Sequence, residues 1–300
     1  MNSFKKTIIR LLKNVKYLIT KDLYDNELEM RYYLTEKIIE DLYYEYEENK
    51  NLIKNLNVLD EYETVELLLK NPKSFCRFGD GEIKLIQGID QGFQNYNKEL
   101  ADRLISLLST KQNDIYIGIN RAYFHSPLVW NERNKKFYRL YGTEFRRFFI
   151  KICPPENTYI DAGFLGAYYR FGDDYNYERH YENMLKLFEN KKIAVVCGEG
   201  ILEKLSYDVF ERSIDKIIIH GPVRNAYDKY DEILKKIMHT VPKDYTICLI
   251  LGMTAKVLVG DLTKEGYLAW DVGHLAQDYN VYKLGLEKNE KNMNDFWAPD

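Results

Sequence analysis

From Ser74 onward the chain alternates short apolar runs with longer amphipathic stretches. The runs Phe75–Phe78, Ile115–Ile119, Ile193–Cys197, Lys216–His220, Thr246–Leu251 and Tyr267–Val272 each read as a β-strand. Between them, apolar positions recur every three to four residues over 98–110, 131–151, 178–190, 201–212, 226–240 and 254–264, which predicts helices. Strands alternating with helices predict βαβ units and a parallel sheet. The strands are nearly continuous hydrophobics, as a sheet covered on both faces requires. The expected fold class is α/β: a Rossmann-like, mostly parallel sheet flanked by helices.

Upstream the pattern differs. Residues 22–70 are heavily charged, with Leu28, Tyr32, Ile38, Ile39 and Leu42 at rough helical spacing. Asp60 or Thr64 caps a helix carrying Val65, Leu67, Leu68 and Leu69, which Asn71-Pro72 ends. The expected organisation is a helical extension over 1–70, a catalytic-sized domain over 71–287 and a polar tail over 288–300.

With 45% hydrophobic and 30% charged residues, wholesale disorder is excluded. A net charge of −3 argues against a whole-chain nucleic-acid binder. Cys76, Cys153, Cys197 and Cys248 lie far apart, which excludes a disulfide scaffold and fits a reducing, cytoplasmic compartment. The average charge conceals a local bias. Residues 1–21 carry Lys5, Lys6, Arg10, Lys13, Lys16 and Lys21 and no acid, with Phe4, Ile8, Leu11, Leu12 and Val15 at helical spacing. Arg10 and Lys13 interrupt the apolar positions, so this is not a membrane span. It reads either as a basic helix lying on an anionic inner leaflet or as a terminal helix packed on its own domain.

Ligands of parallel α/β sheets bind beyond the carboxyl ends of the strands, so the strand-to-helix turns matter most. Three carry glycine: Cys197-Gly198-Glu199-Gly200, His220-Gly221-Pro222-Val223-Arg224-Asn225 and Leu251-Gly252-Met253-Thr254. Each leads into a helix start whose free N–H groups suit phosphate. None is a G-x-G-x-x-G fingerprint or a P-loop, which disfavours a dinucleotide oxidoreductase or an NTPase. Asn225 reaches a base or ribose, or else caps its helix. Thr254 touches phosphate or, the preferred reading, caps the helix it opens. Glu199 meets a ribose hydroxyl or solvent.

The sharpest local feature is Arg77-Phe78-Gly79-Asp80-Gly81-Glu82, closing the first apolar run. In an extended segment Asp80 and Glu82 would point the same way. They would then offer hard oxygens to Mn²⁺ or Mg²⁺, with a diphosphate completing the shell. The flanking glycines let backbone approach a bulky ligand, and Arg77 suits its phosphate. A solvated acidic turn is the bland alternative.

These six residues resemble the opening motif of the GT-D glycosyltransferases, a bacterial family. Gly221-Pro222-Val223-Arg224-Asn225-Ala226 resembles its P-x-x-N-A block. Gly252-Met253-Thr254-Ala255 resembles its G-P-T-A block, with Met253 in place of proline. Gly266-Tyr267 and Trp270-Asp271-Val272-Gly273-His274 resemble its closing block. The likeness spans residues 74–285 and departs from the family at Ile201-Leu202-Glu203-Lys204-Leu205, which lacks its serine-arginine and glycine residues.

The resemblance implies a metal-dependent transfer of a hexose from a nucleotide sugar, UDP-glucose or UDP-galactose. The acceptor would be a glycan, a lipid-linked sugar or a glycoprotein in bacterial surface assembly. Asp80 and Glu82 would serve the metal. Arg77, Gly79, Gly198, Glu199, Gly221, Asn225, Gly252 and Thr254 would surround the donor. The catalytic base would be His274, whose imidazole titrates near working pH, or Asp271, which alternatively orients it. A silent nucleotide-sugar-binding protein and a nucleotide-sugar hydrolase are the alternatives, and the charged extension suits a homodimer. Arg121, Tyr123, Phe124, His125, Trp130, Arg133 and Arg170 read first as core residues and second as an acceptor cleft.

Overall fold

The structure, a computed structural model, describes residues 11–12, 30–31, 33–35, 37, 56–111, 113–125 and 130–297. The chain divides into two compact units, Met1–Lys54 and Asn55–Asp300. Of the basic residues 1–21, all but Leu11 and Leu12 lie outside the described residues, and those two are helical and exposed.

The second unit is built on one eight-stranded sheet. Its strands are β1 (Asn57–Val58), β2 (Ser74–Phe78), β3 (Ile115–Ile119), β4 (Thr158–Asp161), β5 (Lys192–Gly198), β6 (Asp215–Gly221), β7 (Thr246–Ile250) and β8 (Leu268–Asp271). They run in the order β1-β4-β3-β2-β8-β7-β5-β6, and every pairing is parallel. All six predicted strands are present. Hydrophobic patterning missed β1 and β4, which are only two and four residues long.

The helices are α1 (Glu61–Lys70), α2 (Asp80–Ile86), α3 (Lys98–Ser109), α4 (Glu132–Ile152), α5 (Tyr177–Lys186), α6 (Tyr230–Thr240), α7 (Thr254–Lys264), α8 (Leu275–Lys283) and α9 (Glu290–Trp297). Alternate residues of each strand feed the two sides of the sheet. Cys76, Phe78, Val196 and Leu249 enter one core, while Phe75, Val195, Cys248 and Trp270 enter the other. Tyr123, Phe124 and Trp130 are buried in these cores, as the first reading of the aromatic-rich middle expects.

Three expectations are corrected. Residues 201–212 form turns rather than a helix. The side chain of Asn280 accepts from the N–H groups of Ser206 and Tyr207, and Asp208 accepts from that of Phe210. Such side-chain bonds replace the helical ladder. At the other end, β1 and α1 pack with the sheet rather than in a separate extension. The Asp60–Glu63 capping box starts α1, and the Thr64 hydroxyl accepts from Asp161 N–H of β4. The polar tail contains α9, whose Phe296 ring packs 5.1 Å from that of Tyr169.

From β2 the chain builds outward through β3 and β4, whereas β8, β7, β5 and β6 fill the other side. The strand order therefore switches between β2 and β8, the position where open α/β sheets bind ligands.

Candidate active site

Because all strands are parallel, every strand-to-helix turn singled out in the sequence lies along one edge of the sheet. Arg77 and Phe78 end β2 and lead into Gly79 to Glu82, and beside them Asp271 ends β8 and leads into Val272 to His274. Gly252 to Thr254 after β7, Gly198 to Gly200 at the end of β5 and Gly221 to Asn225 at the end of β6 continue the row.

The acidic pair is not extended. Gly79 caps α2, so Asp80 and Glu82 occupy its first turn. At 3.6 residues per turn, positions two apart diverge by about 200°. Asp80 faces outward and pairs with Lys84 at 2.8 Å, both side chains being some 40% exposed. Glu82 turns inward, and its Oε2 accepts from Gly79 N–H at 2.8 Å as the return half of a capping box.

Inside, the charges interlock. Lys256, in the first turn of α7, has a side chain only 7% exposed. Its Nζ lies 3.0 Å from Glu82 Oε1 and 3.1 Å from Asp271 Oδ2, and it donates to Gly252 O at 3.1 Å. These three oxygens match the three protons of an ammonium. Burial works against the charged amine, but Asp271 and Glu82 outweigh it and hold the Lys256 pKa above the ordinary lysine value. Burial would likewise raise the Asp271 carboxyl, yet Lys256 and Arg77 overcome it and hold its pKa low. Lys256 is not a residue that sequence reading singles out, since a lysine in the first turn of a helix is ordinarily solvated. Its signal was visible all the same, a single cation within Ala255–Val259, an otherwise apolar stretch.

The remaining predicted residues fall into two groups. His274 is exposed and caps α8 without a side-chain cap bond, its Nδ1 2.9 Å from Gln277 Oε1 and its ring 5.5 Å from Phe296. Glu199 is exposed, and Gly198 and Gly221 close their strands in register with one another. Others are committed to the protein itself. Asn225 adopts a left-handed backbone, φ 51°, and its Oδ1 accepts from Asn95 N–H at 2.8 Å, fastening the loop after α2. Thr254 does not cap α7, because Met253 holds that position. Its Oγ1 is fully buried and has no hydrogen-bond partner. Gly252 has φ 53°, and a Cβ there would lie 2.8 Å from the Phe93 ring. Arg77 donates from Nε to Asp271 O and from Nη1 to Ala162 O.

This donor set does not fit a divalent ion held jointly by Asp80 and Glu82. Both Glu82 oxygens are engaged by protein donors, and Asp80 diverges from it. Among the described residues, no three His, Cys, Asp or Glu side chains stand together as metal ligands.

The sequence model of the glycosyltransferase GT-D fold matches residues 75–296. The chain is 30% identical over 249 residues to the protein named "Probable glycosyl transferase Gly" of Streptococcus gordonii, covering 79% of this chain and 35% of that protein. It is 24% identical over 285 residues to glycosyltransferase GlyD of Streptococcus pneumoniae, covering 94% of this chain and 31% of that protein. The chain thus spans about a third of the length of these curated relatives. Among solved structures, it is similar to a glycosyltransferase of Streptococcus sanguinis, with TM-score 0.71, 27% identity and coverage of 77% of this chain and 86% of that one. A structure described as a domain of unknown function with a distinct glycosyltransferase fold gives TM-score 0.72, 28% identity and coverage of 82% and 92%.

Proposed function

The chain belongs to the glycosyltransferase GT-D fold family, and on that premise we propose that it moves a hexose from a nucleotide sugar to a sugar hydroxyl. UDP-glucose or UDP-galactose is the proposed donor, and a surface glycan, a lipid-linked sugar or a glycoprotein the acceptor. The observation that supports this reading most is topological. The four sequence blocks that resemble the family end on one sheet edge, two of them flanking the switch point between β2 and β8 and the other two following β7 and the outermost strand β6.

In the proposed reaction the anomeric carbon leaves the β-phosphate oxygen and bonds the acceptor oxygen, while a base takes the acceptor proton. The exposed His274 is the better placed base, since Asp271 is buried and held ionised by Lys256 and Arg77. The departing diphosphate needs electrostatic stabilisation. The positive end of the α7 dipole, which points to this edge of the sheet, is suited to contribute to it. The Mn²⁺ or Mg²⁺ expected at Asp80 and Glu82 is not carried into this scheme, because the donor set there does not fit it.

Purified protein incubated with UDP-, GDP- and CMP-sugars tests the reading. Release of nucleotide from one of them, increased by an acceptor sugar, supports it. Absence of both turnover and nucleotide binding overturns it.

No helix among the described residues is long and apolar enough to cross a membrane. The basic residues 1–21 are proposed to hold the chain against an anionic leaflet, close to a lipid-linked acceptor. Equal flotation on anionic liposomes with and without those residues would refute that attachment.

A further inference from the structure

A cation already sits on Glu82, one of the two carboxylates that the family resemblance assigns to a metal. Three oxygens from three different strand ends converge there: Glu82 Oε1 after β2, Asp271 Oδ2 on β8 and Gly252 O after β7. Two carboxylates and a carbonyl are the hard donors a divalent ion takes. The group found among them is the Lys256 ammonium, 3.0–3.1 Å from each. Both carboxylates are further engaged by protein groups. Glu82 Oε2 accepts from Gly79 N–H, Asp271 Oδ2 also accepts from Arg77 N–H, and Asp271 Oδ1 lies 3.6 Å from Arg77 Nη2.

We propose that Lys256 is a built-in replacement for the divalent ion at this site, so that the chain binds a nucleoside diphosphate without Mn²⁺ or Mg²⁺. The nucleotide half of this statement rests on the function proposed above; the ion half does not.

Lysine also explains the geometry of the acidic pair. A divalent ion shared by Asp80 and Glu82 would need both side chains on one face, whereas an internal ammonium draws Glu82 inward and leaves Asp80 to Lys84 at the surface. An ammonium cannot take a phosphate oxygen into an open coordination position as a metal does. All three of its protons are used. Its role is to neutralise the two carboxylates, which would otherwise repel the incoming diphosphate.

The test is direct Mn²⁺ binding to the full chain, read from the loss of free Mn²⁺ signal by electron paramagnetic resonance. Wild type should take up no stoichiometric Mn²⁺. Lys256→Met, which empties a space bounded by the same three oxygens, should bind one ion at least about tenfold more tightly than wild type. Mn²⁺ should also raise the melting temperature of the variant and leave that of wild type unchanged. Stoichiometric uptake by wild type that is lost in Glu82→Gln would overturn the proposal. Should Lys256→Met fail to fold, the wild-type and Glu82→Gln titrations decide the matter alone. In parallel, calorimetry of UDP should give the same affinity in EDTA and in Mn²⁺, and a tenfold or greater gain with Mn²⁺ counts against the proposal. Failure of UDP and GDP to bind under either condition strikes at the glycosyltransferase reading, while the Mn²⁺ titration still judges Lys256.

Discussion

Arg77 grips Asp271 through backbone and side chain at once. Its N–H donates to Oδ2 at 3.0 Å, its Nε donates to the Asp271 carbonyl at 2.8 Å, and its Nη2 lies 3.6 Å from Oδ1. The two residues lie at the carboxyl ends of β2 and β8, whose ladder has a single register pair, Phe75 with Trp270. The arginine thus reinforces the seam where the two halves of the sheet meet.

Asp271→Asn should therefore be destabilising well beyond a surface substitution. It removes half the countercharge of a buried lysine as well as an acceptor for Arg77. A loss of about 3 kcal/mol in denaturant unfolding is expected, the usual cost of stripping one partner from a buried pair. A loss within the ordinary surface range would mean that the cluster relaxes into solvent.

Gly273→Ala attacks the same grip from the other side. Gly273 has φ 47°, and a Cβ there would collide with Arg77 Nη2. A left-handed non-glycine backbone costs about 1–3 kcal/mol, and displacement of the guanidinium adds to it. Chemical denaturation should show Gly273→Ala to be more damaging than Gly266→Ala, whose φ is 80° but whose surroundings are open. Equal losses would show that the guanidinium moves aside freely.

The layout of the domain was legible because its six main strands are runs of Ile, Val, Leu and aromatics bounded by turns. The edge strands were not, since two-residue β1 and four-residue β4 carry too little periodicity to register. At the site, position was legible and geometry was not. A strand followed by Gly79-Asp80-Gly81-Glu82 reads equally as an extended loop or a helix start. What decides is that Glu82, three residues after Gly79, accepts from its N–H and is pulled inward by Lys256, a residue 174 positions away in sequence. The lone cation in Ala255–Val259 marks Lys256 as unusual, but nothing local to either segment says that it pairs with Glu82.

Asn225 separates a structural role from a donor contact. Its φ of 51° suits asparagine or glycine, and its Oδ1 fixes Asn95 N–H. Asn225→Ala loses both features and should cost about 1–3 kcal/mol, while Asn225→Gly recovers the backbone part. If UDP affinity falls equally in both variants while stability differs, the side chain touches the donor as well.

Asp278 gives the domain a pH dependence. It is fully buried, accepts from Ala167 N–H, Tyr168 N–H and the Tyr181 hydroxyl, and burial pushes its carboxyl up to about 6. The unfolded carboxyl titrates near 4, so between these values the folded state holds more protons and stability falls as pH rises. Relative to Asp278→Asn, wild type should lose about 1–3 kcal/mol of unfolding free energy between roughly pH 4 and pH 7. A difference independent of pH would show that Asp278 folds already ionised.

His274 is the residue on which the proposed chemistry turns. It stands exposed at the end of the β8 turn, whereas its neighbour Asp271 is 1% exposed and tied to two cations. Its Nδ1 lies 2.9 Å from Gln277 Oε1, a contact that orients the ring. His274→Ala should therefore lower kcat by about 10²- to 10⁴-fold, the usual worth of a general base, with little change in KM for the donor. Its melting temperature should stay close to wild type, because an exposed side chain contributes little to the core. Gln277→Ala should give a smaller fall in kcat through loss of ring orientation. Unaltered turnover in His274→Ala would pass the role of base to a group on the acceptor or to water.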